Sequence, residues 1–222
     1  MALTLLGESE YTDASNTNGT IAIPGAAVAG DLCIVCIGAD DTFAPTPSGF
    51  TSFAFNSNRA QEARGTYRVL TSGDITTGTV TVPGDGNFNG NRVQIWFYSG
   101  QDTTTPINTS TTFDDQPTAS DSIFTWSTIT PTVDNCDILL FGVGRDSGTS
   151  WTTTPGGYTQ DMNQPGGYLA GVAFHKSQTT AAATGTLNAT LVGGVYTVLA
   201  TITFAVAPLV IDASATPATL AL

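Results

Sequence analysis

The sequence is short of charge, above all of lysine and glutamate. Charged residues make up 11% of its 222 positions, with one lysine (Lys176), three glutamates (Glu8, Glu10, Glu62) and five scattered arginines (59, 64, 68, 92, 145). Helix-forming residues at helical spacing are almost absent, which excludes a helical bundle and leaves Thr, Val, Gly and Asp to set the local structure. A formal charge of −12 without clustered Lys or Arg excludes a phosphate-binding surface, so nucleic acid is not an expected partner. No apolar window has the length of a membrane span, and no membrane partner is expected. The N-terminal Met1–Glu8 stretch lacks a basic region and a signal-length apolar run, so the expectation is a chain folded in the cytoplasm without a cleaved signal. Three cysteines, an odd number, do not make a disulfide framework.

What the sequence does have is a repeat. An Asp-led apolar run closed by Gly occurs at Gly30–Gly38 and again at Asn135–Gly144, and the likeness continues on both sides. Asp31 matches Asp137 at a spacing of 106, and Pro47–Thr51 matches Pro155–Thr159 at 108. Tyr67-Arg68 matches Phe174-His175, Gly78–Val80 matches Gly185–Leu187, and Ile95–Phe97 matches Ile202–Phe204, all at 107. Two halves, 30–100 and 135–206, are expected, with 101–120 a polar crossing loop. Strands are expected at 20–23, 31–38, 50–55, 64–71, 78–82 and 91–99, then at 122–130, 136–143, 157–162, 168–176, 185–191 and 195–206.

Short strands at this spacing, divided by turn residues, predict an all-β protein: an antiparallel, jelly-roll-like β-sandwich built from two internally repeated halves. Residues 1–206 are expected to form one composite sandwich, and 207–222 a tail that frays or adds a strand to a neighbouring chain. Alternation puts Val93, Ile95 and Phe97 on one face and Arg92, Gln94, Trp96 and Tyr98 on the other. The matched strand then places Val198, Ala200, Ile202 and Phe204 inward and Thr197, Leu199, Thr201 and Thr203 outward. Leu32–Ile37 and Ile138–Val143 are apolar on both faces, so loops or a neighbouring subunit are expected to cover them, which argues for a homo-oligomer.

Few motifs carry chemistry. Cys33-x-x-Cys36 has the spacing of a redox or zinc pair, but residues three apart on a strand face opposite ways, so the thiols read as small buried groups. Asp85-Gly-Asn87-Phe-Asn89-Gly90 matches the opening of a calcium loop. The position for its bidentate acid is Trp96, inside a strand, so the segment reads as a Gly/Asn hairpin, with calcium its alternative cofactor. His175, the sole histidine, pairs with Arg68 in the repeat, the Asp40-Asp41 and Asp114-Asp115 pairs sit in expected loops, and no nucleophile elbow occurs, so no catalytic residues and no enzyme are expected. The loops carrying Asp40, Asp41 and Phe43, and Asp146 and Trp151, pair aromatics with acids. They either plug the end of the sandwich or stack on a sugar ring, with the acids accepting hydroxyl hydrogen bonds.

Ala29-Gly30-Asp31 with its apolar strand, Pro47–Thr51, Tyr67-Arg68-Val69 and Ile95–Gly100 resemble a β-sandwich domain of bacteriophage structural proteins and related bacterial surface proteins. The second half echoes it through Cys136–Val143, Pro155–Thr159, Gly171–Ala173, Gly185–Leu187 and 195–206. The resemblance spans about 30–206 and implies a virion structural protein without catalytic residues: a capsid decoration or cement protein, or a head-fibre or tail component. It implies a homo-oligomer, most simply a trimer, with other virion proteins as partners. The competing class is a carbohydrate-binding module whose ligand is a glycan.

Overall fold

The computed structural model describes residues 2–13, 18–40, 44–58, 61–84, 91–115, 123–146, 150–151, 154–164, 169–192 and 196–210. The first half comprises β1 (Thr4–Asp13), β2 (Gly19–Ala22), β3 (Leu32–Asp40), β4 (Thr51–Asn58), β5 (Gln61–Val69), α1 (Ser72–Thr77), β6 (Thr79–Val82) and β7 (Asn91–Ser99). The second comprises β8 (Ile107–Asp115), β9 (Ile123–Trp126), β10 (Cys136–Asp146), β11 (Ser150–Trp151), β12 (Thr159–Gln164), β13 (Ala170–Gln178), β14 (Leu187–Val192) and β15 (Tyr196–Val206).

All described pairings are antiparallel. One five-stranded sheet runs β1-β7-β3-β5-β4 and the other β8-β15-β10-β13-β12, so the halves share one strand order. Each large sheet carries a small one on its outer face, β2-β6 in the first half and β9-β14-β11 in the second. First strand beside last, and second beside second-last in the opposing sheet, is the jelly-roll arrangement.

Three apolar layers result. Cys33, Val35, Ile37, Val93, Ile95 and Phe97 pack against Ile21, Val80 and Val82 under the first small sheet. Ile138, Leu140, Val172 and Phe174 pack against Phe124, Trp126 and Ala189 under the second. Between the large sheets lies a shared layer, to which Ile34, Cys36, Trp96 and Tyr98 come from one half and Leu139, Phe141, Ile202 and Phe204 from the other. The two-faced hydrophobicity of β3 and β10 is therefore satisfied within one chain, and the oligomer argument drawn from it no longer applies.

Local chemistry repeats as well. Pro47 and Pro155 each open a turn closed by a hydrogen bond from Phe50 or Tyr158, with Gly49 (φ 77°) and Gly157 (φ 79°) at the position that needs a left-handed backbone. Arg68 stacks over Phe50 at 4.9 Å and Lys176 over Tyr158 at 5.4 Å. The counterpart of Arg68 is therefore Lys176, at a spacing of 108, and not His175.

The corrected spacing changes the faces. Ile95 and Phe97 lie in the first outer layer, whereas Ile202 and Phe204, their matches at 107, lie in the shared layer. An odd one-residue error turns a strand over. Among the described residues neither strand has a solvent face: Trp96, Tyr98, Leu199, Thr201 and Thr203 are all buried. The side chains of Thr197 and Val198 fall outside the described residues.

Segment 101–120 is not simply a crossing loop, because 107–115 forms edge strand β8 on β15. The repeat therefore starts at β1 in the first half and β8 in the second, wider than 30–100 and 135–206. Asp114-Asp115 end β8 and Asp40 ends β3 rather than sitting in loops. Past β15, Pro208 bridges to Gln101 and the Leu209 N–H donates to Gly100 O, so the tail's first residues are tied to the sandwich. Residues 211–222 lie outside the described residues.

Candidate functional site

A row of cross-strand partners runs through each large sheet, and the site lies where the rows end. In the first sheet the row is Thr51, Tyr67, Ile34, Trp96 and Glu8; in the second it is Thr159, His175, Leu139, Phe204 and Ser110. A bulge falls one turn of the pleat away in each, at Phe53 between Ser52 and Ala54 and at Asp161 between Gln160 and Met162. Edge strand β1 meets edge strand β12 at one seam between the sheets, and β4 meets β8 at the other. The halves are thus related by an approximate twofold, and each seam collects equivalent positions.

The β4–β8 seam is aromatic. Phe53 lies 4.8 Å from the Phe204 ring and 6.3 Å from Tyr67, and Ser110 Oγ donates to Phe53 O at 3.4 Å. The β1–β12 seam places Asp161, His175, Trp96 and Glu8 at the corresponding positions. Trp96 Nε1 donates to Asp161 Oδ2 at 2.7 Å, and His175 Nδ1 lies 2.6 Å from Asp161 Oδ1. The Asp161 side chain is completely buried, and that of His175 is 20% exposed. One donor atom each from Glu8, Asp161 and His175 lie within 4.8 Å of one another, the group of this kind found among the described residues.

The electrostatics follow from that crowding. Glu8 is exposed as a residue, but its carboxyl end reaches the seam. Burial of that end, then the hydrogen bond and charge of Asp161, push it up to about 7. The hydrogen bond to Asp161 lifts the His175 imidazole above its ordinary value, against the opposing effect of burial. The arrangement can share protons among two carboxyls and an imidazole, or hold a cation between them.

The residues singled out from sequence do not meet here. Asp41, Phe43, Asp85, Asn87 and Asn89 fall outside the described residues, as do the side chains of Asp40, Asp146 and Trp151. Cys33 and Cys36 are free and buried in different layers, and burial pushes both thiols up. Their divergence agrees with the strand geometry. Cys136, also free, is pushed up to about 11, first by burial and then by Asp137 and Asp134.

No protein-family model, curated protein or solved structure matches the chain.

A second feature lies at the end of the sandwich where β10 begins. A groove of about 750 Å³ is walled by Leu3, Val133, Asp134, Asp137, Leu209 and Val210. Gln101 Nε2 donates to Gly30 O at 2.6 Å beside the Pro208 bridge, which brings the 24–30 loop to the same end. Val28 and Val210 are 59% and 67% exposed. The described helix, α1, has six residues, and no described helix is long and apolar enough to cross a membrane.

Proposed function

We propose that the protein is a non-enzymatic structural component of a bacteriophage particle, a capsid decoration or cement protein or a part of a head fibre or tail. It acts as a symmetric homo-oligomer, a trimer being the simplest, on other virion proteins, and is located in the virion. The observation that carries this reading is a groove with apolar walls at Leu3, Val133, Leu209 and Val210 and polar ones at Asp134, Asp137 and Gln178, beside the exposed valines, at one end of a sandwich whose large sheets are already packed on both faces. A concave end that sets exposed apolar residues beside acids fits a docking contact better than a solvated tip. The sequence resemblance to phage β-sandwich domains supports the same reading, and so does a duplicated, rigid jelly roll.

The test is to purify particles from the source culture, identify this chain by mass spectrometry and locate it by electron microscopy. Leu209→Asp and Val210→Asp are expected to abolish attachment while the protein stays folded. A chain absent from particles that binds immobilised glycans through Trp151, with binding lost in Trp151→Ala, would overturn the structural role in favour of carbohydrate recognition.

A further inference from the structure

The β1–β12 seam is polar where the fold does not need it to be. The same sheet positions at the other seam are filled by Phe53, Tyr67 and Phe204, which pack as rings in the shared layer. One copy of the position therefore shows that aromatic packing suffices. The other copy has an aspartate on the bulge, a histidine beside it and a glutamate across from it. Bulges re-aim a side chain, and here the bulge turns Asp161 inward, against a tryptophan N–H.

A buried carboxylate with an imidazole and a second carboxylate is costly unless its charge is matched. Glu10 and Asp137 add negative charge nearby, and the imidazole is the balancing group the seam supplies. We propose that Glu8, Asp161 and His175 bind a divalent first-row transition ion across the seam between the two halves. An imidazole with two carboxylates suits zinc and its neighbours better than magnesium or calcium, which favour all-oxygen shells. Three protein donors leave a fourth position for water.

The parts are arranged for this. Trp96 Nε1 fixes Asp161 Oδ2, which leaves Oδ1 turned to His175 Nδ1. Such outer hydrogen bonds orient ligating carboxylates. Nitrogen and oxygen donors on one tetrahedral zinc ion lie about 3.3 Å apart, so the exposed Glu8 side chain closes in from within 4.8 Å, and His175 Nδ1 and Asp161 Oδ1, 2.6 Å apart, separate slightly as the proton between them leaves. The ion replaces the protons these groups otherwise share. Because Glu8 belongs to the first half and the other two ligands to the second, it ties the halves together. This site is independent of where, or whether, the protein sits on a particle.

The test uses tag-free full-length protein stripped with a chelator. Zinc titration by calorimetry is expected to give one ion per chain and a thermal midpoint several degrees higher, with no rise in equal magnesium. His175 is the only histidine, so its ring ¹⁵N resonances report ligation directly and are expected to shift on zinc addition. Glu8→Gln keeps a hydrogen-bonding side chain beside Asp161 and is expected to fold normally but bind zinc at least tenfold more weakly. His175→Gln is expected to do the same. Cobalt substitution gives a visible absorption band that both variants lose. Failure of zinc to bind at one per chain, unshifted His175 resonances, or unchanged affinity in both variants would overturn the site and leave a hydrogen-bonded seam.

Discussion

Gly38 and Val143 face each other across the shared layer, and the backbone approach there tolerates no side chain on the glycine. A Cβ at position 38 would lie 2.1 Å from Val143 Cγ1 and 2.7 Å from Cγ2, with no flexible end to yield. Gly38→Ala is expected to destabilise the protein by about 1–3 kcal/mol. Val143→Ala added to it is expected to recover part of the loss, giving a coupling of about 0.5–3 kcal/mol in a denaturant double-mutant cycle. Asp74 offers a second residue-level prediction. Its carboxyl accepts from Thr71 N and Thr71 Oγ1, each at 2.8 Å, and pairs with Arg68. Partial burial raises the carboxyl, but these hydrogen bonds and the guanidinium outweigh it and hold Asp74 below the usual carboxylate range. A depressed carboxyl stabilises the fold above its unfolded value and ceases to do so as pH falls through the folded value. Asp74→Asn is expected to cost about 1 kcal/mol near neutral pH. The gap from the parent protein should close below roughly pH 4, as urea unfolding across a pH series will show.

At the scale of the element, the bulge decides what each seam holds. Phe53 sits on its bulge with its ring over Gly65, where a Cβ would come within 2.5 Å of Cζ, and packs on Phe204. Phe53→Ala opens that space and is expected to cost about 3 kcal/mol, measured by chemical unfolding. Strand existence was legible because turn residues punctuate β-branched runs, and β3, β7 and β15 lie close to their expected bounds. Strand β8 was not, because Ile107–Asp115 is a Thr-rich edge strand with an irregular register. Ile107 pairs with Val206 but Thr109 with Ala205, so Asn108 is extra and the alternation breaks. Ile107 consequently packs in the shared layer and Phe113 in the second outer one, though both have odd positions. A one-residue slip also undoes the equivalence of faces between β7 and β15: Ala200, Ile202 and Phe204 do face the shared layer, but Val93, Ile95 and Phe97 face the outer one, and the Arg68–Phe50 and Lys176–Tyr158 stacks, like the cross-strand rows, fix the spacing at 108 rather than 107. The candidate site lay further out of reach, since Glu8, Asp161 and His175 become neighbours only when one half packs on the other.

Across the whole molecule, the shared layer governs stability. Each large sheet buries one face under its own small sheet and the other against its counterpart, so a half on its own would expose the face carrying Trp96 and Tyr98, or Phe141 and Phe204. Exposed patches of that kind do not persist on a soluble single domain. The expected consequence is a single cooperative unfolding transition rather than two. Trp96 in the first half and Trp126 in the second are both fully buried and serve as local reporters, the latter donating its Nε1 to Phe141 O at 3.0 Å. In Trp96→Phe and Trp126→Phe variants, each also carrying Trp151→Phe, the remaining tryptophan fluorescence and the far-ultraviolet circular dichroism should change together along a urea gradient. Phe141→Ala, in the shared layer, should lower both midpoints equally, by about 3–5 kcal/mol in stability. Transitions that separate, or a Phe141→Ala effect confined to the Trp126 signal, would mean that the halves are stable alone and that the central layer is a docking surface instead of a core. The cooperative outcome follows because neither half can hide its second apolar face without the other.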